Sequence, residues 1–305
     1  MSKEHLKLAV TDLFKGRIDA FIHTQMKRSR SDIRGLFDHG CVVLNGEPCK
    51  DAGGIVEKGD LIEVWHDPAR RYKELPRPYQ TRLFKVVYED LHLIVIDKEA
   101  GYLTVPNQDE KNTVLDAVET YFRFSKKGGS RAFVVHRLDR DTSGLLVFAK
   151  SKRIADQLIE QFKAHKPERE YAAIVAGKLK ERQGVFESYL ETDQSLNQKS
   201  VKRKSEGQLA ITKFRVESFL KDTTYVRVNL ETGKRNQIRV HFAEAGHPII
   251  GDQRYGVPMS NHPSWRQKRL ALHATILGFI HPVTQELLRF KAEIPPEFTK
   301  FLTPR

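Results

Sequence analysis

Apolar residues along this chain fall into short alternating or unbroken runs more often than into helical stripes. Residues 84–88 and 91–96 are strand-like runs split by the polar pair Glu89-Asp90, which predicts a hairpin or two adjacent strands. Further strands are predicted at 144–149, 171–176, 211–219, 225–230 and 287–290. Two segments carry the helical period instead. Val114, Leu115, Val118, Tyr121 and Phe122 recur behind Thr113, with Asp116 placed to close a capping box. Ile154, Ala155, Leu158, Ile159 and Phe162 form the second stripe, with Ser151 as its cap. Strands outnumber helices and are joined by turns rather than by regular crossover helices. An α+β domain with a mixed, largely antiparallel β-sheet flanked by helices and loops is therefore expected over a doubly wound parallel sheet.

The beginning of the chain has a different pattern. Ser29 and Ser31 are potential helix caps, residues 40–46 join a β-prone run to the turn signal Asn45-Gly46, and 59–64 reads as another strand. A small α/β module, helix then strand, fits residues 1–65. From 66 to 81 the chain turns polar and basic and contains Pro68, Pro76 and Pro78, the composition of an interdomain linker, which leaves 82–305 as the larger domain. At 305 residues, two domains with their own cores are expected, neither needing disulfide or metal staples. The polar run 193–208, with Lys199, Lys202, Arg203 and Lys204, predicts a surface loop or a long exposed hairpin. No internal repeat is visible.

Charge adds a partner to this picture. Lys plus Arg outnumber Asp plus Glu by 52 to 39, a formal charge of +13 that favours a polyanion. Residues 1–70 are balanced overall, yet Lys27, Arg28, Arg30 and Arg34 crowd one stretch and predict a local phosphate-contacting face. Cys41 and Cys49 are too few and too oddly spaced for a disulfide framework or a thiolate metal site. Residues 1–10 lack the apolar core of a secretory signal, and no long apolar run or basic amphipathic helix with a broad apolar face occurs, so a cytoplasmic protein without a membrane partner is expected.

The chemistry concentrates in 136–144. The apolar lead-in Phe133-Val134-Val135 meets the polar cluster His136-Arg137-Leu138-Asp139-Arg140-Asp141-Thr142-Ser143-Gly144, after which Leu145-Leu146-Val147-Phe148 is apolar again. Polar groups are held where two strands approach. By residue type alone, this is equally a solvated loop with internal ion pairs. His136, His241, His247 and His273 invite a metal, but none of them pair with the His-x-x-x-His spacing of a helical zinc site and no thiolate is near, so no metal is expected.

The run 136–147 resembles the signature of RluA-type pseudouridine synthases. In that family the aspartate after Arg-Leu is catalytic, here Asp139. Residues 168–177 resemble the segment bearing the family's active-site aromatic, here Tyr171. Residues 230–241 resemble the family pattern Thr-Gly-Arg-x-His-Gln-Ile-Arg-Val-His, whose second arginine pairs with the catalytic aspartate, here Arg239, preceded by Ile238 in the substrate pocket. The chain departs from that pattern at Lys234 and Asn236. A helix continuing toward Gly246 would put Arg235 and Arg239 one turn apart on one side. Residues 246–256 and 269–274 also resemble family segments and are expected to be scaffold around the cleft. Residues 17–64 resemble the RNA-binding domain named after ribosomal protein S four.

The resemblance implies an isomerase with a pseudouridine synthase fold and no cofactor. It would detach uracil from the anomeric carbon, turn it and rejoin it through carbon five. Asp139 would be ionised and kept so by Arg239, Tyr171 would pack against the flipped base and assist at the carbon-five proton, and Arg137 would take the base's place in the RNA. Asp141 would shape the turn with Thr142, Ser143 and Gly144. A monomer acting on structured large-subunit ribosomal RNA is expected, with transfer RNA next. The rival readings are a non-catalytic RNA-binding or ribosome-assembly protein, and a hydrolytic nucleosidase.

Overall fold

The computed structural model describes residues 4–11, 14–72, 81–108, 110, 112–124, 131–193 and 197–303. The chain divides into two compact units, residues 1–78 and 79–305.

In the first unit, helices Ile18–Gln25 and Arg30–Asp38 bury Ile18, Phe21, Ile22, Ile33, Leu36 and Phe37. Ser29 caps the second helix, its Oγ accepting from Asp32 N at 3.2 Å. Strands Glu4–Ala9, Leu61–His66, Val42–Leu44 and Glu47–Pro48 lie in that order in an antiparallel sheet. Leu61–His66 alternates, turning Ile62 and Val64 into the core and leaving Trp65 outside. Asn45 and Gly46 both take positive φ in the turn between Val42–Leu44 and Glu47–Pro48, as the Asn-Gly signal predicts. Of the stretch expected to be a linker, residues 66–72 instead pack on this unit. Tyr72 is buried in its core, and the carbonyls of Asp67, Pro68 and Arg70 all accept from Arg28. The Pro-rich composition registered, but not the burial that one tyrosine ring secures. Residues 73–80 lie outside the described set.

The second unit is built on an eleven-stranded sheet. From one edge to the other the strands are Gln198–Val201, Gln183–Thr192, Gln208–Phe219, Thr223–Leu230, Glu168–Ala176, Leu272–Ile280, Ser143–Ala149, Leu93–Lys98 and Phe84–Glu89. Leu287–Lys291 joins Leu272–Ile280, and Phe133–Val134 joins Ser143–Ala149. Every pairing is antiparallel except that of Ser143–Ala149 with Leu272–Ile280. Within strands Leu93–Lys98 and Ser143–Ala149, residues 93–96 and 144–149 are apolar without a break because both of their faces are covered. Ile94, Ile96, Leu146 and Phe148 pack with helix Val114–Phe124, whereas Leu93, Val95, Leu145 and Val147 pack with helix Lys152–Lys163. Both helix starts match their sequence signals: Thr113 N donates to Asp116 Oδ2 at 3.0 Å, and Ser151 Oγ accepts from Ile154 N at 3.4 Å.

The second unit departs from the sequence pattern in places and settles one of its alternatives. Gln183–Thr192 is a long strand that was not expected, because Val185 points outward and blurs its alternation. The run 193–208 returns as edge strand Gln198–Val201, so the hairpin alternative is the one that forms. Helix Gln237–Glu244 begins two residues after Arg235, because Asn236 sits in the left-handed region at φ 53° and breaks helical geometry. Arg235 therefore precedes the helix and does not share a side of it with Arg239.

Candidate active site

The segment 136–142 is fixed through its backbone, which leaves the side chain of Asp139 free to act. On one side, Thr104 Oγ1 donates to Leu138 O at 2.8 Å and accepts from Leu138 N at 3.2 Å. On the other, Arg140 O accepts from Lys98 Nζ at 3.0 Å and Gly101 N at 2.8 Å, while Thr142 N donates to Asp139 O at 3.2 Å. The strand that follows is parallel to Leu272–Ile280 only at Ser143 with His273 and Gly144 with Ala274. At Gly144 the approach is so close that a Cβ would lie 2.2 Å from Ala274 O, and φ is +112°. Only glycine satisfies both conditions. On its other side Ala274 pairs with Tyr171, so a short ladder, Gly144 to Ala274 to Tyr171, fixes the spacing of the Asp139 segment and the tyrosine.

Asp139 and Arg239, 100 residues apart in sequence, meet here: Arg239 Nη1 donates to Asp139 Oδ2 at 3.2 Å. The guanidinium is held by more than this contact. Its Nε and Nη2 donate to the two oxygens of Asp252 at 2.7 and 2.9 Å, Nη1 also donates to Asn236 Oδ1 at 3.1 Å, and its carbon lies 5.0 Å from the Tyr255 ring centre. Burial opposes the charge of Arg239, but hydrogen bonding to Asp252 and the charges of Asp252 and Asp139 outweigh it and raise its pKa above the usual arginine value. Asp252 is fully buried and also accepts from the backbone N–H groups of Arg254 and Tyr255, whereas the Asp139 side chain keeps 29% of its surface exposed. One arginine thus joins a buried carboxylate that orients it to an accessible carboxylate that can meet a ligand.

Tyr171 is buried at the bulge between Glu170 and Tyr171, and burial raises its pKa, opposed by Arg169 and assisted by the charge of Asp139. It is therefore held as the neutral phenol. Arg137 is exposed beside Asp139, while Ile238 is buried in the main core. Asp141 is half-buried, and burial raises its pKa against the charges of Arg140, Arg239 and Lys98. Lys98 is itself buried, and desolvation pushes it down to about 7 against the pull of Asp141 and, more weakly, Asp139.

Sequence reasoning missed Asp252, Asn236, Tyr255 and Lys98. Asp252 and Tyr255 stood in a segment read as scaffold, and Asn236 had registered only as a departure from a pattern. The available signal was a carboxylate one residue after Gly251, in a motif-bearing stretch near the second arginine motif. Of the four basic residues assigned to RNA in the first unit, Lys27 and Arg30 are exposed. Arg34 is half-buried and lies 3.6 Å from Asp19. Arg28 is committed internally, paired with Asp32 and bonded to three carbonyls, so its donors are not offered to a phosphate.

Residues 92–244 match the RNA pseudouridylate synthase family, and residues 16–62 match the S4 domain. The chain is 34% identical over 306 residues to a ribosomal large subunit pseudouridine synthase D of Zymomonas mobilis, covering 92% of this chain and 91% of that protein. It is 33% identical over 279 residues to the uncharacterized RNA pseudouridine synthase YhcT of Bacillus subtilis, covering 90% and 89%. The fold is also that of human RNA pseudouridylate synthase domain containing 4, with a TM-score of 0.58 at 24% identity over 70% of this chain and 90% of that one. With this likeness along nearly its whole length, and with an S4 domain preceding the synthase match in sequence, the chain belongs to the RluA-type family of RNA pseudouridine synthases, isomerases of uridine in RNA.

Proposed function

We propose that this enzyme isomerises uridines of large-subunit ribosomal RNA in the cytoplasm, using Asp139 as the catalytic carboxylate and no cofactor. The observation that carries the catalytic assignment is the shared guanidinium: Arg239 is anchored on Asp252 and presents Nη1 to the partly exposed carboxylate of Asp139. A cation fixed in this way holds the carboxylate in one orientation, which serves it whether it attacks the anomeric carbon or abstracts a ribose proton. The step is redox-neutral: the bond from nitrogen one to the anomeric carbon breaks, a bond from carbon five replaces it, carbon five loses a proton and nitrogen one gains one.

Tyr171 packs against the extruded base. Its raised pKa disfavours the phenolate that a general base would need, so packing and hydrogen bonding are its main contribution, and Tyr171→Phe retains much of the turnover. Arg137, exposed beside Asp139, fills the stack vacated by the flipped base, and the buried Ile238 forms the pocket floor. Lys27, Arg30 and Arg34 of the S4 domain contact phosphates. The ribosomal target rests on the relatives named large subunit synthases, which are similar across both domains.

Mapping pseudouridine across cellular RNA in a deletion strain, complemented with wild type or Asp139→Asn, tests this reading. Sites in large-subunit ribosomal RNA that return only with wild type are the expected result. Dependent sites confined to transfer RNA would replace the target. Equal complementation by Asp139→Asn would overturn the catalytic role, and free uracil in place of pseudouridine would point to a nucleosidase.

A further inference from the structure

Asn236 and Tyr255 form a second layer behind the pair just described. Asn236 uses both ends of its amide: Oδ1 accepts from Arg239 Nη1 at 3.1 Å, the same nitrogen that donates to Asp139, and Nδ2 donates to the Tyr255 hydroxyl at 3.1 Å. That hydroxyl also accepts from the backbone N–H of Gln198, at 2.9 Å, on edge strand Gln198–Val201. The Tyr255 ring packs against Leu190, Ala210 and Val240, and Arg239 lies over its face. Further along the edge strand, Ser200 donates from both N and Oγ to the carboxylate of Glu244, in the last turn of the Arg239 helix. The edge strand is therefore fastened to that helix near both of its ends.

This arrangement depends on what Asn236 is. Its φ of 53° lies where asparagine is among the few side-chain-bearing residues that sit without large strain, and it is one of the two positions at which the chain departs from the family pattern. A guanidinium fixed only by Asp252 could still rock about that bidentate pair. A third acceptor at Nη1 limits the rocking in the direction that sets the contact with Asp139.

Building on the reading of Asp139 and Arg239 given above, we propose that Asn236 and Tyr255 are positioning residues for the isomerisation. Asn236 fixes Nη1 of Arg239 toward Asp139, and Tyr255 fixes Asn236 against the edge strand. Neither needs to touch the substrate. Tyr255 acts through Asn236, so their effects on the chemical step are coupled.

The test is a double-mutant cycle in the full-length enzyme, with single-turnover rate and RNA affinity measured separately on one RNA carrying a dependent uridine. Asn236→Gly keeps the left-handed backbone accessible and removes the amide, and a charged hydrogen bond of ordinary strength makes the expected loss of rate about tenfold. Tyr255→Phe keeps the ring beneath Arg239 and removes one oxygen, with an expected loss of about threefold. Both variants should bind RNA within about twofold of wild type, and the double variant should be no slower than Asn236→Gly alone. A purely structural role would change melting temperature and RNA affinity without this coupling in rate. Tyr255→Phe keeps the test open if Asn236→Gly does not fold. Wild-type turnover by Tyr255→Phe, or losses that multiply in the double variant, overturns the inference while an inactive Asp139→Asn leaves the catalytic reading standing. If Asp139→Asn turns over like wild type, the catalytic reading falls, and this inference with it.

Discussion

Two arginines in this molecule are held in much the same way. Arg28 in the first unit and Arg239 in the second have 12% and 13% of their side chains exposed, and each pairs with a buried aspartate, Asp32 or Asp252, and lies over a tyrosine ring, Tyr72 or Tyr255. The remaining donors make the difference. Those of Arg28 end on the carbonyls of Asp67, Pro68 and Arg70, which closes the chain onto its own module. Arg239 spends one nitrogen on Asp139, a carboxylate that is still partly exposed. A buried guanidinium is thus a general fastening device, and it becomes part of a site only when one of its acceptors faces outward.

Four substitutions separate a carboxylate that faces outward from one that only fastens the fold, taken in falling order of effect. Asp139→Asn removes the outward acceptor's charge and should lower single-turnover pseudouridine formation by about a thousandfold or more. RNA affinity should stay near wild type; a loss of binding equal to the loss of rate would mean that Asp139 serves the RNA rather than the chemistry. Arg239→Ala should cost about a hundredfold in rate and also destabilise its unit by about 3 kcal/mol, because Asp252 is left buried and unpaired. Arg28→Ala should carry the same cost of about 3 kcal/mol through Asp32, read as faster hydrogen exchange in residues 14–72, with the rate on bound RNA unchanged. If Arg28→Ala slowed the chemistry as Arg239→Ala does, the distinction between them would fail.

The smallest effect comes from a carboxylate that burial, the neighbouring Glu99 and Glu293 push up to about 6 despite Lys85 and Arg269: Asp97. Its folded-state pKa lies above the unfolded value, so the folded form holds the proton more tightly and stability is lost as pH rises from about 4 to about 6. Asp97→Asn should therefore match wild type in denaturant unfolding below pH 4 and exceed it by about 1 kcal/mol at pH 7.5, allowing for partial exposure.

What the sequence revealed follows from how each signal arises. Helix starts at Thr113 and Ser151 were legible because capping is local chemistry, and strand Leu93–Lys98 was legible because burial of both faces leaves residues 93–96 an unbroken apolar run. Gln183–Thr192 was not, because Val185 puts an apolar residue on the exposed face, so apolar and polar residues do not alternate in sequence although burial does. Residue type alone left Asp139 undecided between a solvated loop and a site, and only the family resemblance singled it out together with Arg239. Arg28 was assigned to RNA because an arginine's charge is visible in sequence, whereas the acceptors its five N–H groups find are tertiary. Asp252 was hidden for the same reason: a carboxylate after a glycine looks like a turn until the guanidinium it orients is in place.

The contact between Gly144 and the main chain of Ala274 has a practical corollary for engineering. Because backbone meets backbone there, the distance from the Asp139 segment to the Tyr171 strand is not adjustable by repacking side chains. A chimaera that imports only the 136–149 segment from a relative inherits a mortise without its tenon. Segments 136–149 and 270–280 are a single transplantable part, to be exchanged together or not at all.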